Sequence, residues 1–438
     1  MELSTLYSEF LSSDGISIDT RSIRDNQIFF ALPGERVDGN LFAHRAIEKG
    51  ARLAVVSDQE LANKNPKCIF FRDTLLVLQE LAKWHRKTLD IPVIGITGSV
   101  AKTTTKELVN CVLESRYKTF ATAGNLNNHI GVPLSILSIN RSIEIAVIEM
   151  GANHIGEIEE LCTISMPNHG LITRIGHAHL EGFGSLEGVI VAKSDLYRYL
   201  RDHNGTAFIN NNDPILQSLA KGFDMNKIFI HGELHSIVTK ADPVLEISLS
   251  YYDKTAVLKT NIPGLYNLEN IEAAIRIGIF FKIEWEEIIN AIAGYKPKAN
   301  RSEWIKMDTN DILLDAYNAN PTSMSEAIKS FAEFNTPKKK VLILGEMKEM
   351  GDARIWAHNE IIEIIKKYSE KWFNVCLVGS SFKEVNNGSE FMVFENVSQA
   401  KEWFDKSNIE HAAILIKGSR SMAMEKILNT TIFGSEHG

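Results

Sequence analysis

The sequence predicts an α/β protein of three domains with mostly parallel sheets. Short apolar runs alternate with helical segments along the 438 residues, as they do in parallel sheets covered by helices on both faces. The apolar run at 91–97 leads into a Gly/Ser turn and a helix start rich in Lys and Thr, which is typical of a P-loop. A chain of this length accommodates about three domains.

The first predicted unit covers residues 1–88. Apolar runs predict strands at Ile28–Leu32 and Leu53–Ser57, with a helix near Phe42–Lys49 between them. Apolar residues at helical spacing predict a further helix over Thr74–Lys87. We therefore expect a small α/β domain.

The second predicted unit covers residues 89–297 and shows the clearest alternation. Its predicted strands are Ile91–Thr97, Ile145–Met150, Gly170–Ile175 and Ala207–Asn210. Ligands of parallel sheets bind beyond the carboxyl ends of the strands, and the loop before Lys102 falls there. We therefore expect this central unit to hold a P-loop-type site.

The third predicted unit covers residues 298–438 and repeats the alternation in a Rossmann-like α/β arrangement. Its predicted strands are Ile312–Asp315, Val341–Gly345, Val375–Gly379, Phe391–Phe394 and Ala412–Gly418. The dinucleotide fingerprint G-x-G-x-x-G is absent from the sequence, which argues against hydride transfer.

Composition excludes several classes of function. The net charge is -8 and no basic stripe stands out, so we expect no nucleic-acid partner. No apolar stretch reaches the roughly 18 residues of a membrane span, so we expect no membrane insertion. The four cysteines lie far apart and form no C-x-x-C pair, which favours reduced thiols in a cytoplasmic protein.

The strongest functional signal is the loop T-G-S-V-A-K-T-T at 97–104. Backbone N–H groups and the dipole at a helix start favour phosphate, a lysine reaches the outer phosphates, and a hydroxyl can bind Mg²⁺. The loop therefore predicts binding of a nucleoside triphosphate. The residues expected to contact it are Gly98, Ser99, Ala101, Lys102, Thr103 and Thr104.

The loop departs from the strict P-loop pattern at two positions. Ile96 and Ala101 stand where the pattern has glycine. We expect Ala101 to be accommodated by a negative φ angle, with its methyl group away from the phosphates. Ordinary helix capping by threonines is the alternative explanation for this segment.

Residues at the ends of two other central strands predict a magnesium site. Glu149 ends one strand, and its functional interpretation is a Mg²⁺ ligand or a base that orients water. A capping or solvated glutamate is the alternative. His177 and His179 follow the next strand, and we expect one of them to join Glu149 and Thr103.

Two asparagine-dense loops complete the candidate site. Asn125, Asn127 and Asn128 lie in the first, and Asn318 and Asn320 lie at a strand end of the third unit. Turn chemistry and substrate hydrogen bonding are both open for these residues.

The ordered set of motifs resembles the ATP-dependent Mur ligases of peptidoglycan precursor synthesis. The strings that carry the resemblance are T-G-S-V-A-K-T-T-T-K-E (97–107), G-N-L-N-N-H-I-G-V-P (124–133), V-I-E-M-G-A-N-H-I-G-E-I (147–158), A-H-L-E-G-F-G-S-L-E-G (178–188), A-K-S-D (192–195), D-A-Y-N-A-N-P-T-S-M (315–324) and K-G-S-R-S-M (417–422). The first unit adds D-T-R-S (19–22) and I-F-F-A-L-P-G (28–34).

The resemblance implies a role for each unit. Residues 1–88 would bind the uridine-diphosphate substrate, 89–297 would bind ATP, and 298–438 would be the C-terminal ligase domain. The implied substrates are UDP-MurNAc-tripeptide and D-alanyl-D-alanine, and we expect a monomer. Folylpolyglutamate synthases share the last two units but lack the uridine module, to which Thr20 and Arg21 would belong as substrate contacts.

The resemblance also implies roles for single residues. Lys102 and the backbone of Gly98 and Ser99 would hold ATP phosphates, and Lys193 matches a lysine that is carbamylated in several relatives. The implied magnesium ligands are Thr103, Glu149 and His179. The implied catalytic residues are Lys102, Lys193 and His179. Further ATP contacts would be Asn267, Asn270, Arg301 and Asp315, and the substrate contacts would be Asn125, Asn127, Asn128, Asn318 and Asn320.

The implied reaction is amide synthesis through an acyl phosphate, with ATP and Mg²⁺ as the cofactors. Two alternatives stay open at this point. A ligase-like chain that binds substrates without turnover would fit the departure at Ala101. A different amide ligase on the same scaffold would fit the last two units.

Overall fold

The computed structural model describes residues 1–34, 37–386 and 391–428. Its α-helices are α1 (Leu3–Leu11), α2 (Ala43–Glu48), α3 (Gln59–Lys64), α4 (Thr74–Lys87), α5 (Lys102–Glu114), α6 (Gly131–Leu137), α7 (Glu157–Ser165), α8 (Leu180–Phe183), α9 (Leu186–Asp202), α10 (Pro214–Gly222), α11 (Leu268–Phe280), α12 (Trp285–Gly294), α13 (Pro321–Glu333), α14 (Arg354–Lys367), α15 (Ser380–Val385) and α16 (Val397–Lys406). Short 3₁₀ helices lie at Gly39–Phe42, Leu265–Asn267, Gly351–Ala353, Ser369–Lys371, Arg420–Met422 and Met424–Ile427.

The strands of this part of the chain form four sheets. They are β1 (Ile16–Ser17), β2 (Ile28–Phe30), β3 (Leu53–Val56), β4 (Cys68–Phe70), β5 (Val93–Thr97), β6 (Thr119–Ala121), β7 (Ile145–Glu149), β8 (His169–Ile172), β9 (Thr206–Ile209), β10 (Asn226–Phe229), β11 (Leu234–Lys240), β12 (Glu246–Tyr251), β13 (Lys254–Lys259), β14 (Glu303–Met307), β15 (Asn310–Asp315), β16 (Lys339–Gly345), β17 (Trp372–Val378), β18 (Met392–Phe394) and β19 (Ala412–Lys417).

Three of these sheets are parallel or nearly so. The first domain has the order β1-β2-β3-β4, and the central domain has β10-β9-β8-β5-β7-β6, all with parallel neighbours. The third domain has β14-β15-β19-β16-β17-β18, in which β14 runs antiparallel to β15. The predicted three-domain α/β fold with mostly parallel sheets is confirmed.

The fourth sheet was not predicted. It is antiparallel, has the order β11-β12-β13, and follows β10 in the central domain. Its residues alternate between buried and exposed positions, as in β12, where Ile247 and Leu249 point into the core. This half-buried pattern is weaker than the continuous apolar runs of the parallel strands.

Helices cover both faces of the central sheet, so its loops lie at the two ends of the strands. One apolar cluster joins β5 and β7 to α4, α6, α7 and α9, and a second joins the other face to α5, α11 and α12. No helix in the described ranges is long and apolar enough to span a membrane. The unit boundaries after residues 88 and 297 stay predictions, and residues 429–438 of the third unit lie outside the described residues.

Lys193 lies in the interior of α9. The helix begins at Leu186, because the side chain of Ser185 accepts a hydrogen bond from the backbone N–H of Gly188. Lys193 is therefore held in the middle of a long helix, and its side chain is almost fully buried.

We expect Glu272→Gln to stabilise the protein more at pH 8 than at pH 5. Burial raises the pKa of Glu272 to about 7, and His231 Nδ1 lies 3.7 Å from its Oε2. The ordinary pKa of a glutamate is 4.5, so between this pH and about pH 7 Glu272 has lost its proton in the unfolded chain but keeps it in the folded chain. The free energy of unfolding therefore falls as pH rises through this window. Glutamine does not titrate, so the Glu272→Gln variant does not lose stability in this way.

Thermal unfolding of both proteins from pH 5 to pH 8 measures the effect. The melting temperature of Glu272→Gln relative to the natural chain should rise across this range. A difference that does not change with pH would contradict the assignment of a raised pKa to Glu272.

Candidate active site

A cavity of about 510 Å³ lies beyond the carboxyl ends of β5 and β7, between the central and third domains. It is the place at which ligands of parallel sheets bind. The predicted residues that line it are Ser99, Ala101, Lys102, Thr103, Thr104, Asn125, Asn127, Asn128, Glu149, His179, Asn267, Asn270, Arg301, Asp315, Asn318 and Asn320. Gly98, Lys193, Thr20 and Arg21 do not line it.

The loop between β5 and α5 is fixed to the loop after β8. The Ser99 hydroxyl donates to the Gly176 carbonyl at 2.9 Å and accepts from the Gly176 N–H at 3.0 Å. Gly98 has a φ of 149°, and a Cβ built there would lie 2.1 Å from Thr173 Oγ1. The close approach of these two segments therefore requires glycine at this position.

Ala101 contradicts the expectation of a negative φ angle. Its φ is 63° and its ψ is 7°, a left-handed conformation immediately before the first residue of α5. The turn of the loop into the helix requires this conformation, which glycine adopts without steric cost and alanine does not. The second departure from the P-loop pattern is therefore a strained residue.

We expect Ala101→Gly to be at least as stable as the natural chain, and Ala101→Val to be destabilised by more than about 1 kcal/mol. Glycine removes a strain of ~1 kcal/mol but loses part of that gain to the greater freedom of its unfolded chain. A β-branched residue is strongly disfavoured at positive φ. Urea unfolding of both variants measures this, and a large destabilisation by glycine would contradict it.

Lys102 is the first residue of α5 and folds back over the loop. Its Nζ donates to the Gly98 carbonyl at 2.8 Å. Burial lowers the pKa of Lys102, and the nearby carboxylate of Glu149 partly opposes this effect. A cation held at a helix N-terminus, where backbone N–H groups have no intrahelical partner, favours a bound polyanion.

Glu149 is a buried carboxylate at the end of β7 with partners on both oxygens. Thr103 Oγ1 donates to its Oε2 at 2.8 Å, and Asn127 Nδ2 donates to its Oε1 at 2.7 Å. Lys106 Nζ lies 3.9 Å from Oε2. The solvated and helix-capping alternatives for Glu149 therefore do not apply, because its side chain is 2% exposed and is held by this network.

The residues around Glu149 fit a magnesium ion that also contacts substrate phosphates. Mg²⁺ prefers hard oxygen ligands and is commonly held by one or two carboxylates, phosphates and waters. The Thr103 hydroxyl and the Glu149 carboxylate lie side by side on the phosphate side of the cavity. Among the described residues no group of three or more His, Cys, Asp or Glu could hold a metal alone.

The third domain reaches His179 through Glu349, a residue that the sequence did not single out. His179 Nδ1 lies 2.5 Å from Glu349 Oε2, and this contact with His179 lowers the pKa of Glu349. Both residues have positive φ angles, 51° and 62°. Strained non-glycine residues cluster at functional sites, which supports a role for this pair.

A second bridge between the domains is Arg174 in the loop after β8. Its guanidinium pairs with Glu269 of the central domain, at 2.5 Å, and with Glu326 on α13 of the third domain. The three residues line the cavity. The bridge holds the third domain against the site, and no local sequence signal marks it.

Arg301 and Asp315 carry the third-domain side of the cavity. The Arg301 guanidinium lies 3.4 Å from the centroid of the Tyr317 ring, a stacking contact that leaves its edge donors free for a ligand. Asp315 Oδ2 lies 2.5 Å from Lys417 Nζ, and its Oδ1 accepts from the Ser302 N–H. Lys417 belongs to the K-G-S-R-S-M string but was not predicted as a contact.

Asn267 and Asn270 lie at the start of α11 and contact α5. Asn270 Nδ2 donates to Asn267 Oδ1 at 2.9 Å, and its Oδ1 accepts from Thr105. Asn267 Nδ2 donates to the Pro263 carbonyl. Both side chains are buried and positioned beside the phosphate loop.

Three family descriptions match the chain: "Mur ligase family, catalytic domain" over 13–89, "Mur ligase middle domain" over 96–278, and "Mur ligase, glutamate ligase domain" over 300–420. The UDP-N-acetylmuramoyl-tripeptide–D-alanyl-D-alanine ligase of Bacillus subtilis (strain 168) is 34% identical over 434 residues, covering 95% of this chain and 93% of that protein. The chain belongs to the Mur ligase family.

Solved structures of Mur ligases share the fold. MurF from Acinetobacter baumannii superposes with a TM-score of 0.84 at 27% identity, covering 94% of this chain and 92% of that one. MurF from Thermotoga maritima, crystallised in complex with ADP, has a TM-score of 0.83 at 24% identity, covering 95% and 96%. The three-domain arrangement of this Mur ligase is therefore that of its relatives.

The asparagine loops of this Mur ligase divide between the two alternatives. Asn128 Oδ1 accepts from the backbone N–H groups of Ile130 and Gly131, and Asn320 caps α13. These bonds are turn and capping chemistry. All five predicted asparagines line the cavity, and Asn127 holds Glu149 as described above.

Lys193 lies behind the cavity wall. Its Nζ donates to the carbonyl of Ala152, a lining residue, at 3.4 Å and lies 5.3 Å from the centroid of the Phe183 ring. Burial, reinforced by Lys102, holds the pKa of Lys193 well below its usual range. Its side chain is therefore buried and not solvated.

The two predicted contacts of the first domain differ in exposure. Arg21 is exposed and pairs with Asp19 at 2.6 Å, whereas Thr20 is buried and its carbonyl accepts from Lys49 Nζ. Neither residue lines the central cavity. A substrate that contacts these residues and also reaches the cavity must therefore be long.

Proposed function

We propose that this Mur ligase joins D-alanyl-D-alanine to UDP-MurNAc-tripeptide with hydrolysis of ATP to ADP and phosphate. The observation that supports the proposal most directly is that one cavity is lined by the Lys102 loop, by the Thr103–Glu149 pair and by Arg301 of the third domain. The Bacillus subtilis relative, which matches 95% of the chain, carries this activity in its name. The match at 13–89 favours a UDP-linked substrate over a folate.

The proposed ATP site follows from the chemistry of the lining residues. Lys102 and the free N–H groups at the start of α5 would hold the phosphates, and Arg301 and Asp315 would contact the nucleotide from the third domain. Asn267 and Asn270 would contact it from α11. Magnesium would be held by Thr103, Glu149 and His179, and it would neutralise phosphate charge.

The reaction needs an activated carboxylate. The tripeptide carboxylate attacks the γ-phosphorus of ATP, ADP leaves, and an acyl phosphate forms. The free amine of the dipeptide then attacks the carbonyl carbon, and the tetrahedral intermediate expels phosphate as the amide forms. Lys102 stabilises the charge on the transferring phosphoryl group, and closure of the third domain through Arg174 and Glu349 keeps water from the acyl phosphate.

Lys193 is proposed to act as a carbamate. Its neutral amine adds CO₂ and releases a proton, which converts a potential cation into an anion beside the magnesium site. Support comes from its depressed pKa and from the absence of a carboxylate within ion-pair distance of Nζ in the described structure. The carbamate would help to hold a second magnesium ion.

We also propose how the substrates are bound and where the enzyme acts. The first domain would bind the uridine nucleotide through Thr20 and Arg21, and Asn125, Asn127, Asn128, Asn318 and Asn320 would contact the tripeptide or dipeptide. The enzyme would act as a cytoplasmic monomer in peptidoglycan synthesis, and so in cell-wall biogenesis, cell shape and division.

A substrate-omission assay tests the proposed function. ADP and phosphate release is measured with ATP, Mg²⁺, UDP-MurNAc-tripeptide and D-alanyl-D-alanine, leaving out each in turn. We expect release only with all four, together with a pentapeptide product by mass. Release that needs no dipeptide, or that requires a folate, would contradict the proposal.

A further inference from the structure

Residues 299–302, here called the linker, lie between α12 of the central domain and β14 of the third domain, and three of them have an uncommon backbone. Ala299, Asn300 and Ser302 have φ angles of 58°, 59° and 53°. These left-handed conformations are unfavourable for residues with a side chain, so neighbouring residues must hold them in place. Arg301, which is expected to contact the nucleotide, lies inside the linker.

The third domain holds the linker through its backbone. The Ser302 N–H donates to Asp315 Oδ1 at 3.1 Å, and the Asn300 carbonyl accepts from the Tyr317 N–H at 3.2 Å. The Arg301 guanidinium stacks on the ring of Tyr317. Arg301 is therefore fixed to the third domain by contacts of its own side chain and of both its neighbours in the sequence.

Tyr266 supplies a contact to the linker from the central domain. Its hydroxyl lies 3.0 Å from Ser302 Oγ, within hydrogen-bond distance. Tyr266 belongs to the 3₁₀ helix Leu265–Asn267, directly before α11. A Cβ at Gly264 would lie 2.4 Å from Tyr266 Cε1, so the ring packs directly against the backbone of Gly264. The ring is therefore held in one place, with its hydroxyl at the linker.

The Tyr266 hydroxyl keeps its proton. Burial, together with the charge of Asp315, raises the pKa of Tyr266. A neutral phenol can donate to Ser302 Oγ or accept from it. Ser302 is 9% exposed, so loss of this partner would remove a hydrogen bond from a buried hydroxyl. Ser302 is thus held twice, by Asp315 through its N–H and by Tyr266 through its side chain.

We propose that Tyr266 is a positioning residue: it fixes Ser302 and thereby places Arg301, the preceding residue, for contact with the nucleotide. The inference rests on the proposed function, since it requires a nucleotide in the cavity that Tyr266, Arg301 and Ser302 line. A guanidinium presents its donors in a rigid fork, so its hydrogen bonds to an anion depend on accurate placement. The bond from Tyr266 joins the linker to the start of α11, which carries Asn267 and Asn270. Tyr266 therefore sets the two nucleotide-facing sides of the cavity relative to each other.

The test measures the dissociation constant for ADP by isothermal titration in the full-length protein. Tyr266→Phe removes the hydroxyl and keeps the ring, and Ser302→Ala removes the same bond from its other side. The two substitutions are also combined, and Tyr266→Phe is repeated together with Arg301→Ala. The matched control is Tyr251→Phe, because the Tyr251 hydroxyl accepts from Arg276 of α11 at 3.3 Å but Tyr251 does not line the cavity.

We expect Tyr266→Phe and Ser302→Ala each to weaken ADP binding about 3- to 10-fold, the value of one neutral hydrogen bond. The combined variant should bind no more weakly than either single variant, because both substitutions remove the same bond. Arg301→Ala should weaken binding by a larger factor, and Tyr266→Phe should add nothing to it. Tyr251→Phe should bind ADP as the natural chain does.

Two results would overturn the positioning role. One is unchanged ADP binding by Tyr266→Phe and Ser302→Ala, with both variants folded by circular dichroism. The other is an equal loss from Tyr266→Phe in the natural chain and in Arg301→Ala, which would mean that Tyr266 does not act through Arg301. The substrate-omission assay tests the proposed function separately. The expected pattern of ADP binding without pentapeptide formation would contradict the ligase activity and leave the positioning of Arg301 in place.

Discussion

Lys102→Ala is expected to lower turnover by at least about 10³-fold, with little change in binding of the UDP-linked substrate. The lysine reaches into the cavity from the first residue of α5, where its side chain is half-buried and its Nζ lies over the Gly98 carbonyl. Removing a preorganised group that stabilises transition-state charge costs about 10²–10³ in rate, and a full charge lies at the upper end. Phosphate release under saturating substrates measures the loss.

The control for this variant is Lys221→Ala. Lys221 is an exposed lysine on α10 of the same domain, and its removal should leave turnover unchanged. Isothermal titration with UDP-MurNAc-tripeptide shows whether the first domain still binds. Phosphate release that survives Lys102→Ala at the natural rate would show that the phosphate site is elsewhere.

Lys193→Ala and Lys193→Arg are expected to lose activity to the same extent, about 10- to 100-fold, the cost of removing a partner of a metal site. The amine is buried in α9 and its pKa is held well below the usual range, which favours the neutral form that reacts with CO₂. Arginine keeps the positive charge but forms no carbamate, so it should not restore activity.

Equilibration with ¹³C-bicarbonate and ¹³C NMR measures the modification itself. The natural chain should show a carbamate signal that is absent from Lys193→Ala, with both proteins folded by circular dichroism. Retention of activity by Lys193→Arg, or the same spectrum from both proteins, would contradict the carbamate and favour a cationic lysine.

Much of the fold was visible in the sequence because its strands are buried on both faces. A continuous apolar run such as Val93–Thr97 has few alternatives to a central parallel strand. The helix Thr74–Lys87 was predicted with its observed bounds, since its apolar spacing is regular and Asp73 caps its first turn. The sheet β11-β12-β13 was missed because half-exposed alternating strands resemble ordinary polar segments.

Site residues were predictable where they belong to one local sequence motif. They were not predictable where their role depends on a contact between two distant segments. The Lys102 loop and Glu149 lie on strand ends, and parallel strands bring their carboxyl ends to one edge. Glu349 and Arg174 act through contacts with another domain, which no local spacing encodes. The φ angle of Ala101 depends on how the loop meets α5, a matter of tertiary geometry that composition does not reveal.

The fate of oxygen in the tripeptide carboxylate tests the central claim most directly. With both carboxylate oxygens labelled as ¹⁸O, one should remain in the new amide and one should leave with phosphate, because the acyl phosphate transfers the bridging oxygen. Mass spectrometry of the released phosphate should therefore show one ¹⁸O for each pentapeptide formed. Unlabelled phosphate would contradict ligation through an acyl phosphate in this cavity.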